Sequence, residues 1–107
     1  MASDKTYLEY VLEQLSALDG ITYRAMMGEY ILYYQGKIFG GIYDNRLLIK
    51  PVNAAKTRMP QAPLETPYPG AKDMLLAEEL DNSVFLCELV AAMEPELPAP
   101  KQKKKQG

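Results

Sequence analysis

The chain has 107 residues, 48% hydrophobic and 24% charged, which bounds it to one globular domain with a modest core. No window approaches the roughly 18 apolar residues of a membrane span, the polar start Ser3-Asp4-Lys5 has no apolar secretory segment, and the single Cys87 excludes an internal disulfide, so a cytoplasmic protein is expected. With no histidine, one cysteine, no phosphate-binding loop and no dinucleotide fingerprint, the usual general base, zinc site and nucleotide sites are missing; neither enzymatic activity nor a cofactor nor a metal is expected.

The first predicted element is a helix over residues 4–18. Leu8, Val11, Leu12, Leu15 and Leu18 recur at three- and four-residue steps and form one apolar stripe. Ser3 or Thr6 can cap its start, Thr6-x-x-Glu9 has capping-box spacing, and Gly20 suits a left-handed helix stop.

From Ile21 to Val52 the period changes to two. Ile21–Tyr23 with Met26, Tyr30–Tyr34, Ile38–Tyr43 and Leu47–Lys50 read as four strands. The breaks fall at Gly28, Gln35-Gly36-Lys37 and Asp44-Asn45-Arg46. Connections this short make neighbouring strands antiparallel. Residues 51–70 hold Pro51, Pro60, Pro63, Pro67 and Pro69 and read as a loop with one helical turn at Asn53–Thr57. Met74-Leu75-Leu76-Ala77 is a last strand or the approach to a helix from Ser83, capped by Asn82 or Ser83 and stopped near Pro95. The predicted fold is α+β: an antiparallel β-sheet meander of four to five strands flanked by an N-terminal and a C-terminal helix, in two layers. Residues 1–95 form the single domain and 96–107 a disordered Pro/Lys-rich tail.

Charge is uneven along the chain. Lys101, Lys103, Lys104 and Lys105 close it; without them, eight basic face 14 acidic side chains, a net charge of −6 over residues 1–100. An acidic body lacks the basic face that duplex binding needs, so nucleic-acid contact is expected to be weak and confined to those four lysines.

Cys87, on the apolar stripe of the last helix, reads as a structural thiol. Glu78-Glu79 and Glu94-x-Glu96 read as solvated or helix-end charges. Five of the eight tyrosines (23, 30, 33, 34 and 43) fall in the sheet, where Tyr33 and Tyr34 must face opposite sides. Tyrosine suits a half-buried pleat, and the strands lack the interleaved basic residues that base stacking would need.

The stretch Arg24-Ala25-Met26-Met27-Gly28-Glu29-Tyr30 interrupts the strands. As a corner, Gly28 supplies a bend or bulge, and Met26 and Met27 fill space between helix and sheet. As a partner-binding edge, Arg24, Glu29 and Lys50 supply the contact, with Arg24 and Glu29 paired across the bend. The segment from Arg24 to Lys50 carries Arg-x-Met-x-Gly (Arg24, Met26, Gly28), then Tyr30, the turn residue Gly36, Phe39, and Leu47-x-x-Lys50. In this it resembles the N-terminal domain of the TfoX/Sxy competence-regulator family. Met27 stands where that pattern carries an aromatic residue, and the second domain of full-length regulators has no counterpart here.

The resemblance implies an α+β domain in a bacterial cytoplasmic protein that regulates transcription of DNA-uptake genes through protein contacts, with no catalytic residues to transfer. The partner it implies is a protein such as a transcription regulator; a homodimer is a further expectation, and no membrane partner is expected. Two alternatives are a weak nucleic-acid binder using the terminal lysines and a small-molecule-binding domain.

Overall fold

The computed structural model describes residues 3–98, which hold three α-helices and six strands. In chain order these are α1 (Lys5–Gln14), β1 (Ile21–Met26), β2 (Glu29–Tyr34), β3 (Lys37–Ile42), β4 (Leu47–Ile49), α2 (Asn53–Arg58), β5 (Leu64–Glu65), β6 (Met74–Ala77) and α3 (Ser83–Met93), followed by a 3-10 turn at Glu94–Glu96. All strand pairs are antiparallel, in the spatial order β1-β2-β3-β4-β6-β5.

The meander is closed by three two-residue hairpin turns whose central residues all have positive φ. Met27 and Gly28 are at 54° and 85°, Gln35 and Gly36 at 56° and 81°, and Asp44 and Asn45 at 55° each. This is the type I′ geometry, favoured because its backbone twist matches that of the flanking strands. Gly28 is therefore the second residue of a tight turn rather than a bulge.

One face of the sheet meets the helices. Leu32, Phe39, Ile42, Leu47, Ile49, Leu75 and Ala77 pack with Leu8, Val11 and Leu15 of the α1 region, Ala55 of α2, and Leu86, Leu89, Val90 and Met93 of α3. The two-layer α+β expectation holds, with one strand more than expected. Phe39 and Ile42 are an odd number of residues apart, yet both are fully buried in this core. The register shift opposite Leu32/Tyr33 makes this compatible with the pleat: Leu32 pairs with Gly40 and Tyr33 with Ile38, leaving Phe39 as the extra residue.

Several local expectations are corrected. Helix α1 stops at Gln14, although Leu15 and Leu18 still reach the core from the following turns. Its N-cap is Asp4 without a side-chain cap bond, so neither Ser3, Thr6 nor the Thr6–Glu9 box caps it; the Ser3 hydroxyl is used elsewhere. Met26 and Met27 are not fillers: they are 45% and 95% exposed. Asn82 does cap α3, accepting the Phe85 N–H at 3.0 Å. Tyr34 packs against the core, as does Tyr30, while Tyr33 is on the opposite face.

Candidate functional site

The β1–β2 hairpin carries the Arg24–Tyr30 stretch, and its turn end is locked to two other segments. Ser3, one of the buried polar residues, donates from Oγ to Glu29 Oε1 at 2.6 Å. The same carboxylate oxygen accepts the Asp44 N–H at 3.1 Å, and Ser3 Oγ accepts the Asn45 N–H at 3.0 Å. Asp4 N–H donates to Asn45 Oδ1 at 2.8 Å, and Ser3 N–H to the Gly28 carbonyl at 2.9 Å. Glu29 thus ties the start of the chain, the β1–β2 turn and the β3–β4 turn into one knot. Positive-φ turns leave N–H groups pointing outward, and a carboxylate is the acceptor that satisfies them most strongly.

The structure does not bring Arg24, Glu29 and Lys50 together. Arg24 is exposed on β1, in the cross-sheet row Arg24–Ile31–Gly41–Leu48. Glu29 lies at the turn end of β2, and the adjoining β3–β4 turn is at the same end. Lys50 follows β4 at the opposite end, where its N–H donates to the Phe39 carbonyl at 3.0 Å. Three inter-strand spacings alone put β1 about 14 Å from β4. The expected Arg24–Glu29 pair is absent: among the described residues the ion pairs are Lys37–Glu94 at 2.8 Å and Arg46–Glu65 at 2.7 Å. Of the motif residues, Phe39 and Tyr30 serve the core, Gly28 and Gly36 the turns, and Met26 faces water. Lys101, Lys103, Lys104 and Lys105 lie outside the described residues.

On the face away from the helices, Tyr43 is half-buried near Tyr68, their ring centroids 6.1 Å apart. Burial, reinforced by Tyr68, Glu29 and Tyr33, raises the Tyr43 hydroxyl above its ordinary pKa of 10.0. Arg46 fastens the proline loop beside it through Glu65 and the Thr66 carbonyl. Cys87 is half-buried, its Sγ 3.4 Å from the Gln14 carbonyl, a packing role between α3 and α1. No group of three potential metal-ligating side chains is found among the described residues.

What remains accessible is the outer half of the hairpin. Every residue of β1 after Ile21 is exposed, Tyr23 at 44%, and Met27 stands almost entirely in water at the tip. The Met27 side chain could not be singled out from sequence, because an apolar residue beside a strand reads as core until the turn type is known.

The family profile of the TfoX N-terminal domain matches residues 13–84, two thirds of the chain. The chain belongs to the TfoX N-terminal domain family. Membership makes it a competence-regulator-like domain and agrees with the α+β sheet described above. A relative from Spirochaeta aurantia, an uncharacterized 12.7 kDa protein in the trpE 5′ region, is 34% identical over 105 residues, covering 97% of this chain and 91% of the relative. No solved structure matches the chain. Among the described residues no helix is long and apolar enough to cross a membrane.

Proposed function

We propose that this TfoX N-terminal domain is a non-enzymatic, cytoplasmic regulatory module that acts on transcription through protein contacts made by the β1–β2 hairpin. The observation carrying this reading is Met27: an apolar side chain, 95% exposed, at a positive φ of 54° in a turn whose next two residues, Gly28 and Glu29, are held by the knot with Ser3. Asn or Gly would sit in that turn position at lower cost. A residue that is both strained and solvated contributes little to the fold, and such residues concentrate where a surface is used. Flexible thioethers suit contact with a protein surface. Arg24 and Met26, which share the face of β1 away from the helices, extend the same surface with a guanidinium and further apolar area, the residue types enriched at interfaces.

Site-specific photo-crosslinking in the source organism tests this directly. A photoreactive residue at position 27 should give a discrete protein adduct that includes a transcription regulator. The same residue at exposed Arg58, on α2, should not. Equal labelling from both positions, or none from position 27, would reject the hairpin as the contact.

A further inference from the structure

We propose that β1 is also a dimerisation edge, pairing antiparallel with β1 of a second copy about a two-fold axis at Tyr23. The inference goes beyond the regulatory reading: it concerns the backbone edge, and not the hairpin tip.

The two ends of the sheet are treated differently. At one end β5 is only Leu64–Glu65, enclosed by Pro63 and Pro67, which is how proteins blunt an edge. At the other end β1 runs six residues with no proline, lysine or bulge, in unbroken register with β2 from Ile21↔Tyr34 to Met26↔Glu29. Such an edge is a template for another strand.

Hydrogen bonding fixes which groups it offers. Gln35 N–H donates to the Gly20 carbonyl at 3.0 Å, and these residues are opposite one another, one step beyond Ile21↔Tyr34. In an antiparallel ladder the bonded residues alternate, so Gly20, Thr22, Arg24 and Met26 turn their polar groups toward β2. The N–H and C=O of Ile21, Tyr23 and Ala25 therefore point outward, and no hydrogen bond among the described residues engages them.

That set is self-complementary. With Tyr23 opposite Tyr23 of the second copy, Ile21 falls opposite Ala25, and each outward N–H meets an outward C=O. Of the two neighbouring registers, one would place Arg24 opposite Arg24, a like-charge pair that is destabilising when directly opposed. The other, with Thr22 opposite Thr22, would carry Ala25 past the start of the facing β1. The Tyr23 register places Arg24 against Thr22 instead. The axis stands perpendicular to the sheet, so both Tyr23 rings lie on the helix side. There an open groove of about 470 Å³ runs beside β1, lined by Leu12, Leu18, Ile21 and Tyr23 among others. The second copy's Tyr23 and Ala25, opposite Tyr23 and Ile21 in this register, would cover that apolar groove. A second copy is thus the occupant that fits backbone, charge and groove together.

Sedimentation equilibrium on the full chain is the test. The wild type should show twice its 12.0 kDa mass. Ala25→Pro should run as a monomer with an unchanged circular dichroism spectrum, because position 25 donates nothing to β2 and proline is tolerated on an edge facing solvent. A wild-type monomer at the highest concentration reached, or a dimeric Ala25→Pro, would overturn the proposal while leaving the hairpin-tip reading intact. The register is tested in a Cys87→Ala background under mild oxidation. Tyr23→Cys should cross-link to itself, since opposed residues in a hydrogen-bonded pair lie about 5.5 Å apart, within disulfide reach. Arg24→Cys should cross-link far more slowly, and the reverse order would overturn the Tyr23 axis.

Discussion

Ser3 Oγ and Glu29 Oε1 meet at 2.6 Å across 26 residues of sequence, and this contact joins the start of the chain to the first hairpin. Because Glu29 also holds the Asp44 N–H, its loss leaves two donors without their acceptor. Hydrogen bonds to a charged group contribute about 1.5–3 kcal/mol, reduced here by partial exposure. Glu29→Ala should therefore destabilise the domain by about 1–3 kcal/mol in urea unfolding. Ser3→Ala should produce a loss of similar sign and smaller size. A change in the Glu29 variant below about 0.5 kcal/mol, the range of ordinary surface substitutions, would show that the knot contributes nothing.

Gly28 sits at φ 85°, where a β-branched side chain is strained regardless of available space. Gly28→Val should cost about 1–3 kcal/mol, read as a lowered melting temperature. An unchanged melting temperature would mean that the turn adapts without cost.

Gly41 is fixed by crowding rather than by backbone angle. A Cβ there would lie 2.6 Å from the Tyr43 ring and 2.8 Å from the Tyr30 carbonyl oxygen. The tyrosine can swing aside, but the carbonyl belongs to the neighbouring strand. Gly41→Ala should destabilise by about 1–3 kcal/mol, the usual cost of overpacking, and should expose Tyr43 to solvent quenchers. Wild-type stability in this variant would mean that β2 and β3 can separate freely at that point.

Tyr43 also gives a pH signature. Its hydroxyl has a raised pKa in the fold because burial disfavours the phenolate, so the folded state holds the proton more tightly than the unfolded chain. Its contribution is fully present below the ordinary value of 10.0 and is lost as pH rises through the higher folded value. Unfolding free energy should fall above about pH 10, and Tyr43→Phe should flatten that fall. A slope identical in the two proteins would place the titration elsewhere.

The parts of the fold that sequence made legible are those with local causes. Gln35-Gly36 and Asp44-Asn45 carry turn chemistry in adjacent residues, Asn82 is a local cap, and the β2–β4 strands have their own alternation. The misreadings arise where tertiary contact decides. Leu15 and Leu18 continue the apolar spacing of α1 although the backbone has left the helix, because a turn can present leucines to the same core. Strand β5 exists only through its pairing with β6. Ser3 has the composition of a cap, yet its hydroxyl serves a carboxylate 26 residues away. The candidate trio Arg24, Glu29 and Lys50 came from one stretch of sequence, and sheet order then separated β1 from β4. Met27 was hidden for the opposite reason: an apolar residue took a turn position that usually holds Asn or Gly.

That last exception allows the central claim to be tested without confusing function with folding. Met27→Asn creates an Asn-Gly pair, the favoured type I′ sequence, while removing the exposed thioether. The variant should unfold at a higher temperature, gaining about 0.5–1 kcal/mol from relief of the turn. In cells lacking the native protein, it should nevertheless fail to restore the wild-type transcript profile of the regulated genes. Raised stability with lost transcriptional output is the predicted result; full output from the Met27→Asn protein would contradict the proposal that the hairpin tip is the regulatory contact.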